Sequence, residues 1–160
     1  MNYQIDAPIL ELDSYEDPLY IDKNSDLLHK QTLAQLARYF KMEMGTDYLQ
    51  FDESMFNDDR YTGFLLLKIA SDLVLNEHTH WPNRVIGGGV FCNQGSVYDL
   101  DWVWVHPFFR NKHELSSRWS VFKKRFGNFT VSQPISLHMK AFVEKHQPAP
   151  SSPTTTKQPT

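Results

Sequence analysis

The sequence predicts one domain of the α/β (α+β) class, built on a mixed sheet. Three observations carry this expectation. Residues 97–145 read as strand, tight turn, helix, short strand and helix, which is a βαβ unit with an added helix. The runs 85–92 and 97–105 flank a turn at Asn93–Ser96, where Gly95 accepts φ > 0, so they form an antiparallel hairpin. Leu33, Leu36, Ala37, Phe40 and Met44 recur at helical spacing ahead of both.

Composition bounds the function. The chain has 160 residues, 41% of them hydrophobic and 14% aromatic, enough for one domain with a real core. We assign that domain to residues 1–147. The Pro/Ser/Thr-rich residues 148–160 lack apolar periodicity and are expected to be a disordered tail. The net charge of −3 supplies no global basic field, so no nucleic-acid partner is expected. Arg118, Lys123, Lys124 and Arg125 form the one local basic cluster. No apolar run approaches the ~20 residues of a membrane helix, and the N-terminus has no signal-peptide pattern, so no membrane partner is expected. Cys92 is the only cysteine, which excludes an internal disulfide and fits a reducing cytoplasm.

Each element has its own justification. Ile9–Leu12 and Leu19–Ile21 are short strand candidates broken by Pro8 and Pro18, and one of them should open the sheet. Ser25 or Asp26 caps a helix that runs to Met44 and stops at Gly45. Asp47–Arg60 is acidic and reads as a loop or short helix with a solvated face. Thr62–Ala70 is almost wholly apolar, as a strand buried on both faces would be. Ser71–Asn83 is a connection; its His78 and His80 read as polar loop residues, so no metal site is assigned. Gly87, Gly88 and Gly89 imply a bulge or a close approach of backbone, and the pattern is not that of a phosphate loop. The helix after Pro107 should begin near Lys112–Glu114 and bury Leu115, Trp119, Phe122 and Phe126 as one stripe. A buried strand follows at Phe129–Ser132, and Ser136 caps the last helix.

The strand 97–105 carries the chemistry. Strict alternation puts Val97, Asp99, Asp101, Val103 and Val105 on one face and Tyr98, Leu100, Trp102 and Trp104 on the other. Two carboxylates on one face of a central strand are costly if dry, so they sit at a solvated rim or serve a function. The tryptophans fall at core periodicities. The turn after the strand leads into a helix N-terminus, whose free N–H groups and dipole suit an anion, with Arg110 and Lys112 adding charge.

This order of parts resembles the GNAT superfamily of N-acetyltransferases. Their cofactor segment runs strand, Val-x-Pro-x-x-Arg/Gln-x-x-Gly-x-Gly/Ala, helix, and Val105-His-Pro-Phe-Phe-Arg110 through Ser116 occupies that pattern. The likeness covers about residues 60–147, and the helix at 26–44 fits the family's N-terminal helix. It implies a mostly antiparallel central sheet flanked by helices, with a splayed strand pair at the cofactor site. It implies acetyl-CoA as cosubstrate and direct attack by an amine, either a small molecule or a protein lysine. On that basis Trp104 and Val105 pair through their backbone with the pantetheine arm. Arg110, Asn111, Lys112, His113, Glu114 and Leu115 cradle the pyrophosphate. Asp99 or Asp101 is the base. Three departures accompany it. His113 and Leu115 replace the turn glycines, Val143 stands where many members carry a tyrosine acid, and the family's last two strands are absent. Ser132 and Ser136 are hydroxyls near the place of that acid. A partner protomer, as in a homodimer, or the N-terminal segment would complete the acceptor side. The competing expectations are a catalytically degenerate member of the same fold acting as an interaction module, and an unrelated α/β binding protein.

Overall fold

A computed structural model of the chain describes residues 5–12, 15–45, 49, 51–73, 81–132 and 137–146. His78, His80, Pro134, Ser136 and the tail from 148 lie outside them. The fold is mixed α+β. Its strands are β1 (Ile9–Leu12), β2 (Leu19–Ile21), β3 (Tyr61–Ile69), β4 (Trp81–Asn93), β5 (Tyr98–Val105) and β6 (Thr130–Val131). Its helices are α1 (Leu27–Met44), α2 (Ser116–Phe126) and α3 (Leu137–His146). The sheet order is β2-β3-β4-β5-β6, with β1 also on β4. Every pairing is antiparallel except β5 with β6.

Both N-terminal candidates are strands of the sheet, and Ile9–Leu12 is the first, as the sequence expected of one of them. β4 explains this. It is 13 residues long and starts at Trp81, inside the stretch read as a connection. Its first residues, Trp81–Arg84, pair with β1, and its later ones, Gly87–Asn93, pair with β5. β3 runs along the other edge of β4 from Asn83 to Cys92. The five residues Gly63–Leu67 of β3 are all buried, as a strand covered on both faces must be.

Helices cover both faces. α1 begins after Asp26, whose side chain makes no capping bond, and ends at Gly45 with φ 66° and its N–H on the Lys41 carbonyl. Leu33, Leu36, Ala37 and Phe40 pack on one face of the sheet with Leu65, Leu67, Trp102 and Trp104. Gly88 permits this approach. A Cβ there would lie 2.6 Å from the Phe64 carbonyl and 2.9 Å from Leu36 Cδ1. On the other face α2 buries Leu115, Trp119, Phe122 and Phe126 against Phe64, Leu66, Phe91 and Leu100, and Met139 and Phe142 of α3 pack against this cluster. Phe91 and Phe126 stack with ring centroids 3.9 Å apart.

Two expectations need correction. α2 starts at Ser116, later than Lys112–Glu114, because Asn111 (φ 60°) and His113 (φ 62°) are left-handed and cannot continue a right-handed helix. The strict alternation in β5 also fails. Val90 pairs with Trp102 but Phe91 pairs with Leu100, so Asp101 is the extra residue of a β-bulge. Tyr98 and Leu100 therefore share the α2 face with Val103 and Val105, while Trp102 and Trp104 face α1. Trp102, Trp104 and Trp119 are all buried. Among the described residues no helix is long and apolar enough to cross a membrane.

Candidate functional site

The site grows out of the unequal lengths of β5 and β6. The two strands pair only at Asp99–Thr130 and Leu100–Val131, and Ser132 N–H donates to the Leu100 carbonyl at 3.0 Å. Beyond Leu100 that edge of β5 has no strand partner among the described residues. A cavity of about 580 Å3 opens there. Its walls are Val103–Val105 of β5, Phe109–Asn111 and His113–Leu115 of the turn, Phe40, Glu43 and Met44 of α1, and Met139, Phe142 and Lys145 of α3.

Hydrogen-bond alternation decides which backbone groups face this cavity. His106 N–H donates to the Ile86 carbonyl at 2.8 Å, and Trp104 and Trp102 lie opposite Gly88 and Val90. In an antiparallel ladder the bonded residues alternate, so Trp102 and Trp104 spend their N–H and C=O groups on β4. Val103 and Val105 present theirs to the open edge. Val105 C=O is already met there by Arg110 Nε at 2.7 Å. Of the pair named from sequence, Val105 thus offers backbone to the cavity, whereas Trp104 offers its side chain. The buried indole N–H of Trp104 has no acceptor among the described residues.

The turn forms the cavity's mouth. His106 starts it, its Nδ1 accepting from Phe108 N–H at 3.1 Å and its Nε2 donating to the Ile5 carbonyl at 2.5 Å. Asn111, His113, Glu114 and Leu115 line the cavity. The backbone N–H groups of Asn111, Lys112, His113, Glu114 and Leu115 make no close, well-aligned hydrogen bond among the described residues. Lys112 is not in the wall; its ammonium sits 3.6 Å from the Phe108 ring centroid. The two left-handed residues, Asn111 and His113, supply the curvature that glycine would supply without strain.

The side chains around the mouth are largely paired. Arg110 meets both carboxylate oxygens of Glu43, at 2.6 and 2.8 Å. Glu114 is held by Lys68 at 2.5 Å and by Arg118 at 3.1 Å. Burial alone would raise the Glu114 carboxyl, but these two cations hold it below its ordinary range. Arg118 is itself buried, bonded to Asp17 and, at 3.0 Å, to the Leu67 carbonyl. The basic cluster suggested by the sequence therefore loses its first member to the core. Arg125 lies 3.8 Å over the Tyr20 ring.

The two candidate carboxylates stand away from the cavity lining. Asp99 accepts from Thr130 Oγ1 at 2.6 Å and from the Ser132 hydroxyl, fastening β5 to β6. Ser132 is thereby committed. Asp101 is half-buried in the bulge, and burial, with Asp99 adding to it, raises its carboxyl above the usual range. No hydrogen bond reaches its carboxylate among the described residues.

Sequence reasoning did not find Glu43, Val103 or Lys145. Glu43 and Lys145 join the site only through tertiary packing, and nothing in their local patterns marks them. Val103 needed the ladder register. Compared with known proteins, the sequence matches no protein-family model and no curated protein.

Proposed function

We propose that the protein is an N-acetyltransferase of the GNAT kind, moving an acetyl group from acetyl-CoA to an amine. The observation that carries this reading is the free edge of β5 inside an apolar cavity that leads to a turn rich in unengaged N–H groups. Such an edge accepts an extended chain of amides as an extra strand would be accepted, which suits pantetheine. The turn's donors suit the pyrophosphate. Cys92 is a free thiol, in keeping with the reducing cytoplasm where this cosubstrate is used.

In the reaction the amine nitrogen attacks the thioester carbonyl carbon. The C–S bond breaks, CoA leaves as the thiolate, and the amine gives up a proton. A free backbone N–H at the edge, that of Val103 or Val105, would polarise the carbonyl. Asp101 suits the base better than Asp99, because its raised pKa favours taking a proton and its oxygens are not held by hydroxyls. Since neither carboxylate is in the cavity wall, the proton would travel through water.

One observation favours a second reading, an interaction module without catalysis. Arg110 already occupies the Val105 carbonyl and is locked there by Glu43. Calorimetric titration with acetyl-CoA and with CoA separates the two. Saturable binding of both supports the transferase and justifies an acceptor screen. No heat at millimolar ligand overturns it and leaves the interaction module.

A further inference from the structure

The cavity has an apolar body, and most formal charge around it is cancelled. Arg110 is closed in a two-pronged pair with Glu43, and its remaining Nε–H is on Val105. Glu114 is matched by Lys68 and Arg118. Among the described lining residues the cation left without a counter-charge is Lys145, in the last turn of α3. It is exposed, and no ion pair or hydrogen bond holds its ammonium among the described residues. The adjacent His146 ring lies against Phe142 of the same helix, 4.3 Å between centroids, and Phe142 in turn packs on Trp119 of α2 at 5.1 Å, which holds this end of α3 against α2.

We infer that Lys145 is the side-chain cation for a phosphate group of the ligand, the role that sequence alone gives to Arg110. The inference rests on the proposed reading of the cavity, and it names a binding residue that the GNAT-like pattern does not. The turn N–H groups are directional but carry no net charge. A phosphorylated ligand brings charge that the paired Arg110 cannot answer without giving up Glu43 and the Val105 carbonyl. A lysine ammonium on a flexible stem binds phosphate as a point charge and needs no fixed fork. It can meet a phosphate at the mouth while the apolar arm of the ligand lies inside.

The test is calorimetric titration of the full chain, wild type, Lys145→Ala and Lys145→Glu, with three probes: CoA, pantetheine and inorganic pyrophosphate. The exposed position makes both variants tolerable to the fold, checked by circular dichroism. CoA binding should weaken about tenfold in Lys145→Ala, the size of one charge-assisted contact, and further in Lys145→Glu, with pantetheine unchanged. Equal CoA affinity in wild type and Lys145→Glu overturns the inference and leaves the transferase reading standing. Pyrophosphate binding that Lys145→Glu removes, with no binding of CoA or pantetheine, overturns the transferase reading and leaves Lys145 as an anion site. Binding of none of the three by the wild type overturns both.

Discussion

Asp101 concentrates the conflict between folding and chemistry in one side chain. It is the inserted residue of a bulge, half-buried, with a second carboxylate two residues away and no donor of its own among the described residues. Burial first, and Asp99 second, raise its pKa. A carboxyl whose folded pKa exceeds its unfolded one favours the fold only while protonated. Its contribution is complete below the unfolded pKa and is lost as pH rises through the folded one. At neutral pH the ionised group therefore opposes folding. Asp101→Asn should raise Tm at neutral pH, and the gain should vanish toward about pH 3, where both forms are uncharged. Thermal melts across that range check it; a lower Tm for the variant at neutral pH would show that the carboxylate has a stabilising partner. If Asp101 is the base, the same variant loses acetyl transfer while gaining stability. The cost of paired carboxylates was legible in the sequence because it depends only on residue type and spacing. The bulge was not, because an inserted residue leaves the composition of a strand unchanged and only the ladder reveals it.

At the scale of elements, α2 shows where local pattern suffices and where it stops. The stripe Leu115, Trp119, Phe122 and Phe126 follows from periodicity, and all four are buried. The helix start was misjudged because left-handed φ at Asn111 and His113 is a minority tendency of these residue types, which the apolar spacing does not reveal. Arg118 is the sharper case. It looks like a surface base, yet its partner Asp17 is 101 residues away and the pair is nearly dry. Asp17 also accepts from Leu67 N–H at 3.2 Å, so the pair pins the N-terminal segment and α2 to β3. Removing one member strands a buried charge. Arg118→Ala should cost about 3–5 kcal/mol, read as a fall in the urea midpoint at unchanged slope. Replacing Asp17 and Arg118 together by apolar residues of similar volume should recover most of that loss. A cost for Arg118→Ala no larger than that of a typical surface change, within about 0.5 kcal/mol, would mean water reaches the pair freely.

For the whole molecule the sheet is a wall common to two cores, and this decides how the protein unfolds. β3 alone gives Leu65 and Leu67 to the α1 side and Phe64 and Leu66 to the α2 side. Neither core keeps its floor if the other melts. The cavity likewise draws walls from both layers, from Phe40 of α1 and Phe142 of α3, which is why no single stretch of sequence displays it. The fold class, by contrast, was legible, since strand and helix order with turn chemistry is local information. Gly88→Ala tests the common wall. Its Cβ would press on Leu36 of α1 and on the Phe64 carbonyl of β3, costing about 1–3 kcal/mol as overpacking does. Although the clash is on the α1 side, Trp102 beneath α1 and Trp119 on α2 should lose their native signals together, at the same lowered denaturant concentration. Fluorotryptophan resonances resolve the two indoles in one titration. A Trp102 transition that precedes the Trp119 transition would show that the α1 layer peels from an intact sheet, and that α1's side of the cavity opens independently of the rest.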